Sequence, residues 1–178
     1  MAGNDHNLTA LENLTKNVQF NLEHEKDWTG VKVYDSGAER QLLYGLPPRR
    51  MYVHPDEQIA ILKAEKELGG GQRIPQPPEV EWVLPMHLAE KWTVERFAAV
   101  FDSIPPVPPA VAEAAAGAGH DDGNAAATSE AAEVAATSLA QHWRGPGRGK
   151  RIILAIVQDD STISYYVIHD GIVKPRQN

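Results

Sequence analysis

The feature that most constrains the fold is the near-terminal run RIILAIVQDDSTISYYVIHDG. From Ile152 to Val157 it offers no polar position at all. A strand of that kind needs cover on both faces, which puts it in the centre of a sheet or against a helix layer. Beyond the turn, Thr162 to Ile168 alternates, with Ile163, Tyr165 and Val167 facing one way and Ser164, Tyr166 and Ile168 the other. The two runs read as one apolar hairpin with Asp159 and Asp160 side by side at its tip. Three meanings compete for the aspartates: a polar turn, a metal-binding pair, or an acidic knob that docks on something basic.

A strand covered twice requires helices. In LTALENLTKNVQFNLEHEKDW, Leu8, Leu11, Leu14, Val18 and Leu22 recur three or four apart and form one helical face. Thr9 and Glu12 have capping-box spacing, Asn7 is the rival N-cap, and Gly30 reads as the stop. TVERFAAVFDSI predicts a second helix, with Thr93 as N-cap and Val94, Phe97, Ala98 and Phe101 at helical spacing. HPDEQIAILKAEKELGGG has Pro55 in its first turn, acids next, lysines later and a triple-glycine stop, which favours a helix over a strand at IAIL. Strand candidates are VKVY at 31–34, QLLY at 41–44, Met51 to Val53, and EVEWVLP with Val80, Trp82 and Leu84 alternating. Helices alternating with strands predict an α/β domain, in detail an α+β mixed sheet flanked by helices.

From Pro105 the composition turns to Ala, Pro, Gly and Ser/Thr, and large apolar residues almost vanish. Such a stretch buries too little to offset its ordering entropy, so 105–147 is expected to be a disordered insertion. Its second half, SEAAEVAATSLAQHW, has the composition of a helix. Residues 1–104 and 148–178 together then form one domain, entered through a basic hinge, RGPGRGKR. The absence of cysteine excludes disulfides and thiolate metal sites. No apolar run approaches the ~20 residues that span a bilayer, and the polar start MAGNDHN is not a signal peptide. A net charge of −7 argues against a chain that holds nucleic acid unaided, while leaving local basic patches open.

Little in the chain spells out chemistry. Adjacent strand residues point to opposite faces, so Asp159 and Asp160 chelate one ion only in a bent turn. Glu79 and Glu81 share a strand face, but nothing ties them to the tip. The seven histidines form no HExxH pair, and His169 beside Asp170 and Gly171 reads as a turn or cap residue. Arg144, Arg148, Lys150 and Arg151, interleaved with glycine, either touch phosphates or form a solvated hinge. No metal or cofactor is expected.

DDSTISYYVIHDGIVKPRQN, with EWVLPMHLAEKWTVERFAAVFDSI upstream, resembles the smallest, non-catalytic subunit family of the eukaryotic tRNA-splicing endonuclease, its fungal members most. The likeness covers the N-terminal helix, the YGLPPRR–YVHPDEQ region, the EWVLP strand with its helix, and the hairpin, but not Pro105 to Gly147. It implies the mixed-sheet domain common to these subunits and a four-subunit complex that cuts precursor tRNA at both intron ends. The implied partners are two catalytic subunits and one larger structural subunit. The implied location is the nucleus, or the cytoplasm or mitochondrial surface in fungi.

The family's catalytic subunits use Tyr, His and Lys, without metal, for general acid–base attack of a 2′-OH on the adjacent phosphate. Lys150 matches the lysine position. PQPPEV fills the place of the histidine, and no tyrosine lies between Tyr52 and Tyr165. A lone lysine cannot supply both acid and base, so the resemblance implies an inactive subunit. It also implies that the loop carrying Asp159 and Asp160 inserts into a basic cleft of a neighbouring subunit. The last strand would pair with a partner's strand through Ile163, Tyr165, Tyr166, Val167 and Ile168, or with itself in an isolated dimer. Arg148, Lys150 and Arg151 stand as candidate RNA contacts. Two rival readings stay open: an active RNA endonuclease subunit using Lys150, and a small RNA-binding module working through RGPGRGKR.

Overall fold

The computed structural model describes residues 3–35, 37, 40–109, 130–144 and 148–171. Five strands form one sheet in the order β1 (Thr29–Asp35), β2 (Gln41–Leu46), β3 (Glu81–His87), β4 (Arg151–Val157) and β5 (Ile163–His169). β3 and β4 are parallel; the other neighbours are antiparallel, so the sheet is mixed as expected. The helices are α1 (Gly3–Glu25), α2 (Pro55–Leu68), α3 (Val94–Asp102) and α4 (Glu130–Trp143).

β4 sits where its composition demands. Ile153, Ala155 and Val157 join Val18 and Leu22 of α1 in one core, while Ile152 and Leu154 join Val100 and Phe101 of α3 in another. Each fully buried aliphatic side chain here contributes about 1.5–3 kcal/mol. Trp82 of β3 anchors the α3 face, edge-on to Tyr34 (4.8 Å between centroids) and Tyr44 (5.6 Å). Its indole N–H donates to Pro105 O at 3.1 Å. β5 uses the alternation read from sequence: Ile163, Tyr165 and Val167 pack toward α1, and Ile168 packs on the opposite core.

Several local expectations give way. α1 starts at Gly3, ahead of both Asn7 and Thr9, because neither proline nor glycine interrupts Asn4 to Leu8. It stops at Glu25 rather than Gly30. Lys26 N–H reaches back to Asn21 O (3.1 Å) and Trp28 N–H to Leu22 O (2.9 Å), with Asp27 at φ 55°, a conformation Asp tolerates. Gly30, at φ 61°, instead serves the irregularity in β1 between Thr29 and Lys32. Met51 to Val53 forms no strand, since β2 already has a neighbour on each side and the segment leads into the His54 cap of α2. Thr93 caps α3 as expected, accepting from Arg96 N–H, but the buried face is Val100 and Phe101. Val94 and Ala98 point outward.

The middle of the alanine-rich segment, 110–129, lies outside the described residues. Its second half forms α4, which packs on α2 with Trp143 stacked on His54 at 5.1 Å.

Candidate functional site

The hairpin projects from the sheet with its two aspartates in different roles. Gln158 N–H donates to Thr162 O and Ser161 N–H to Gln158 O, closing a tight turn with Ser161 at φ 68°. Asp160 Oδ1 accepts from Thr162 N–H at 2.9 Å, and bonds to Thr162 hold its carboxyl below the usual carboxylate range. This is the turn chemistry that short acidic side chains favour. Asp159 is 96% exposed, and its Oδ1 lies 3.2 Å from His87 Nε2 at the end of β3. Ala89 N–H donates to His87 Nδ1, which leaves the proton of the neutral ring on Nε2, facing Asp159. Asp160 therefore shapes the tip and Asp159 carries its free charge. Among the described residues no group of three or more His, Asp or Glu is placed to hold a metal ion.

β5 forms one edge of the sheet, so one of its sides has no strand neighbour. Tyr166 is 57% exposed on it, while Ile163, Tyr165, Val167 and Ile168 are half-buried. Tyr165 donates to Asn21 Oδ1 at 2.6 Å, tying the edge strand to α1. Burial, with the Glu25 charge adding to it, pushes its phenol well up.

The candidate RNA contacts are placed otherwise than expected. Arg148 and Arg151 are buried, each 5% exposed. Arg148 donates to Glu81 Oε2 (2.8 Å) and Val80 O (3.1 Å). Arg151 donates to Glu81 Oε1 (2.5 Å) and Glu79 Oε2 (2.8 Å). Lys150 Nζ donates to Phe101 O at 2.8 Å, in the last turn of α3. In this chain neither guanidinium is presented to a phosphate. Both are consumed by Glu79 and Glu81, which the sequence had offered as free carboxylates, so the hinge is not a solvated one. Arg50 extends the cluster, binding Glu57 through two bonds of 2.8 Å and Gln76 through one of 2.5 Å. Arg144 reaches Gln76 at 3.2 Å. Burial lowers the pKa of Arg148 and Arg144; it also opposes the charge of Arg151, whose bonds to Glu81 more than offset it. The one sequence signal for this cluster was Glu81, a charge inside an otherwise apolar strand, which had to find a partner.

A cleft of about 190 Å³ beside the cluster gathers Tyr52, His54, Trp143, Lys150, Arg151 and His169. Sequence spacing alone did not bring these together. The Tyr52 and His169 rings lie 4.5 Å apart, and Arg151 lies over the Tyr52 ring at 5.5 Å. Burial raises the Tyr52 phenol, with Arg151 opposing. Burial, Arg151 and His54 lower the His169 imidazole, favouring its neutral form.

This architecture, a mixed sheet ending in an apolar hairpin with an open edge strand, can be set beside known proteins. The family model described as Sen15 protein matches residues 17–125 and 128–178. The chain belongs to that family. The match runs through much of the alanine-rich segment that the motif resemblance left out. The chain is 54% identical over 169 residues to the probable tRNA-splicing endonuclease subunit tsp-1 of Neurospora crassa, covering 94% of this chain and 67% of that protein. It is 25% identical over 169 residues to the tRNA-splicing endonuclease subunit SEN15 of Eremothecium gossypii, covering 95% of this chain and 94% of that one.

Proposed function

We propose that this chain is a structural, non-catalytic subunit of a tRNA-splicing endonuclease, needed to assemble the complex that excises introns from precursor tRNA. Kinship with two proteins named as subunits of that enzyme carries the reading. Its partners are two catalytic subunits and a larger structural subunit, held through the Asp159 tip and the open edge of β5. A rigid stalk with one exposed charge suits orientation and partner choice. A nuclear location follows from the same reading and is checked by imaging a tagged chain.

The absence of catalysis rests on the state of the cleft residues. General acid–base chemistry needs groups free to exchange protons with substrate. Lys150 Nζ is engaged by Phe101 O, and the Tyr52 ring lies close to both His169 and Arg151. In the reconstituted complex, Lys150→Ala, Tyr52→Phe and His169→Gln should each leave precursor-tRNA cleavage within roughly threefold of the unaltered complex. Loss of about a hundredfold or more with Lys150→Ala, the complex remaining whole, would restore the active-nuclease reading.

A further inference from the structure

A second cleft, of about 440 Å³, opens between α1 and the segment joining β3 to α3. Ala10, Leu11 and Leu14 of α1 form its apolar wall; Arg40, Lys91 and Arg96 face them. In a chain of net charge −7, the described lining thus holds three permanent cations against one carboxylate, Glu90. That carboxylate is committed. It pairs with Arg40 and accepts from His87 N–H (2.9 Å) and Trp92 Nε1 (3.2 Å). Burial opposes its charge, and these bonds more than offset the burial, keeping its pKa low.

The arginines point to a ligand. Arg40 is 6% exposed, and its Nε has no hydrogen-bond partner among the described residues. A buried donor left unmade is costly unless something arrives to accept from it. Arg40 and Arg96 also share one ring, lying 5.4 and 4.5 Å from the Trp92 centroid. Two guanidiniums on one indole repel each other, and an anion between them relieves that repulsion.

We infer that this cleft receives an acidic segment of a partner protein, anchored by apolar side chains against α1 and by carboxylates on Arg40, Lys91 and Arg96. The apolar wall argues against a sugar–phosphate backbone, which would leave it uncovered, and the overall negative charge opposes a polyanion more than a few carboxylates. A second copy's hairpin tip does not fit either. Gln158 to Thr162 carries no apolar side chain, and Asp160 already serves its own turn. The inference goes beyond the proposed function: the tip presents acid to a partner, whereas this cleft accepts it.

The test uses the full chain and three fluorescent probes: a short peptide alternating Leu and Glu, its Leu–Gln counterpart, and a single-stranded RNA of equal charge. The Leu–Glu peptide should bind at least about tenfold more tightly than the other two. Lys91→Glu and Arg96→Glu should each weaken it by about tenfold, and Lys63→Glu on α2 should leave it unchanged. Both test positions lie outside the buried core, so circular dichroism should match the parent chain. Four results would overturn the inference: no binding of the Leu–Glu peptide, equal binding of the Leu–Gln peptide, tighter binding of the RNA, or indifference to both variants. Self-association abolished by the same variants would do so too, assigning the cleft to a second copy. None of these results touches the subunit reading, which stands or falls on assembly.

Discussion

Glu79 and Glu81 lie at the start of β3, and Asp159 and Asp160 lie just past the end of β4. Because β3 and β4 run parallel, the two acidic pairs occupy opposite ends of the same two strands. Glu81 is 1% exposed and binds Arg148 and Arg151, whereas Asp159 is almost wholly exposed and meets a single histidine. At one end charge is buried and consumed in holding the fold. At the other it is raised on an apolar stalk and left available. The difference teaches that carboxylates in this chain are read by what surrounds their strand end, not by their spacing.

The comparison breaks most easily at Glu81. Glu81→Ala leaves Arg148 and Arg151 buried without their main carboxylate, and removing one partner of such a group costs about 3–5 kcal/mol. Urea unfolding of the variant measures it, and a loss below about 1 kcal/mol would mean the cluster is not what holds this end together. Tyr165→Phe sharpens the other end. It removes the bond to Asn21 that ties the edge strand to α1, for an expected loss of about 0.5–1.5 kcal/mol by the same method.

Acid should act on both ends through different groups. His169, beside the buried cluster, has its folded pKa depressed, so it contributes stability above the ordinary histidine value of about 6.5 that is lost as pH falls through the folded value. His169→Gln should flatten the stability profile in that window. Asp160, also depressed, contributes above the ordinary carboxylate range, and that contribution disappears only at lower pH. Asp160→Asn keeps an oxygen for Thr162 N–H and should remove the second slope; unchanged profiles in both variants would contradict these assignments. The smallest effect belongs to Asp159→Asn, whose unfolding free energy should stay within about 0.5 kcal/mol of the parent.

The hairpin was legible because its information is local. A run without polar residues can only be a doubly covered strand, and period-two alternation assigned each face of β5 correctly. The faces of α1 were legible for the same reason. The charged cluster was not, since Glu81 finds Arg148 and Arg151 at separations of 67 and 70 residues, and that pairing depends on the β3–β4 register. Arginines among glycines read as a solvated hinge until α4 and β3 enclose them. The gathering of Tyr52, His54 and His169 around Lys150 was hidden likewise, because three different segments meet there. The acidic tip was legible as a feature but not in its division of labour, which depends on His87 at the end of another strand.

The most direct test of the account is Asp159→Lys in the reconstituted complex, with subunit composition read by native mass measurement across a salt series. The account predicts an isolated chain with the parent's melting temperature, and a full assembly reduced by at least about tenfold or dissociating at lower salt. A full assembly with unchanged salt sensitivity would show that the tip is only a turn, and that its exposed charge holds nothing.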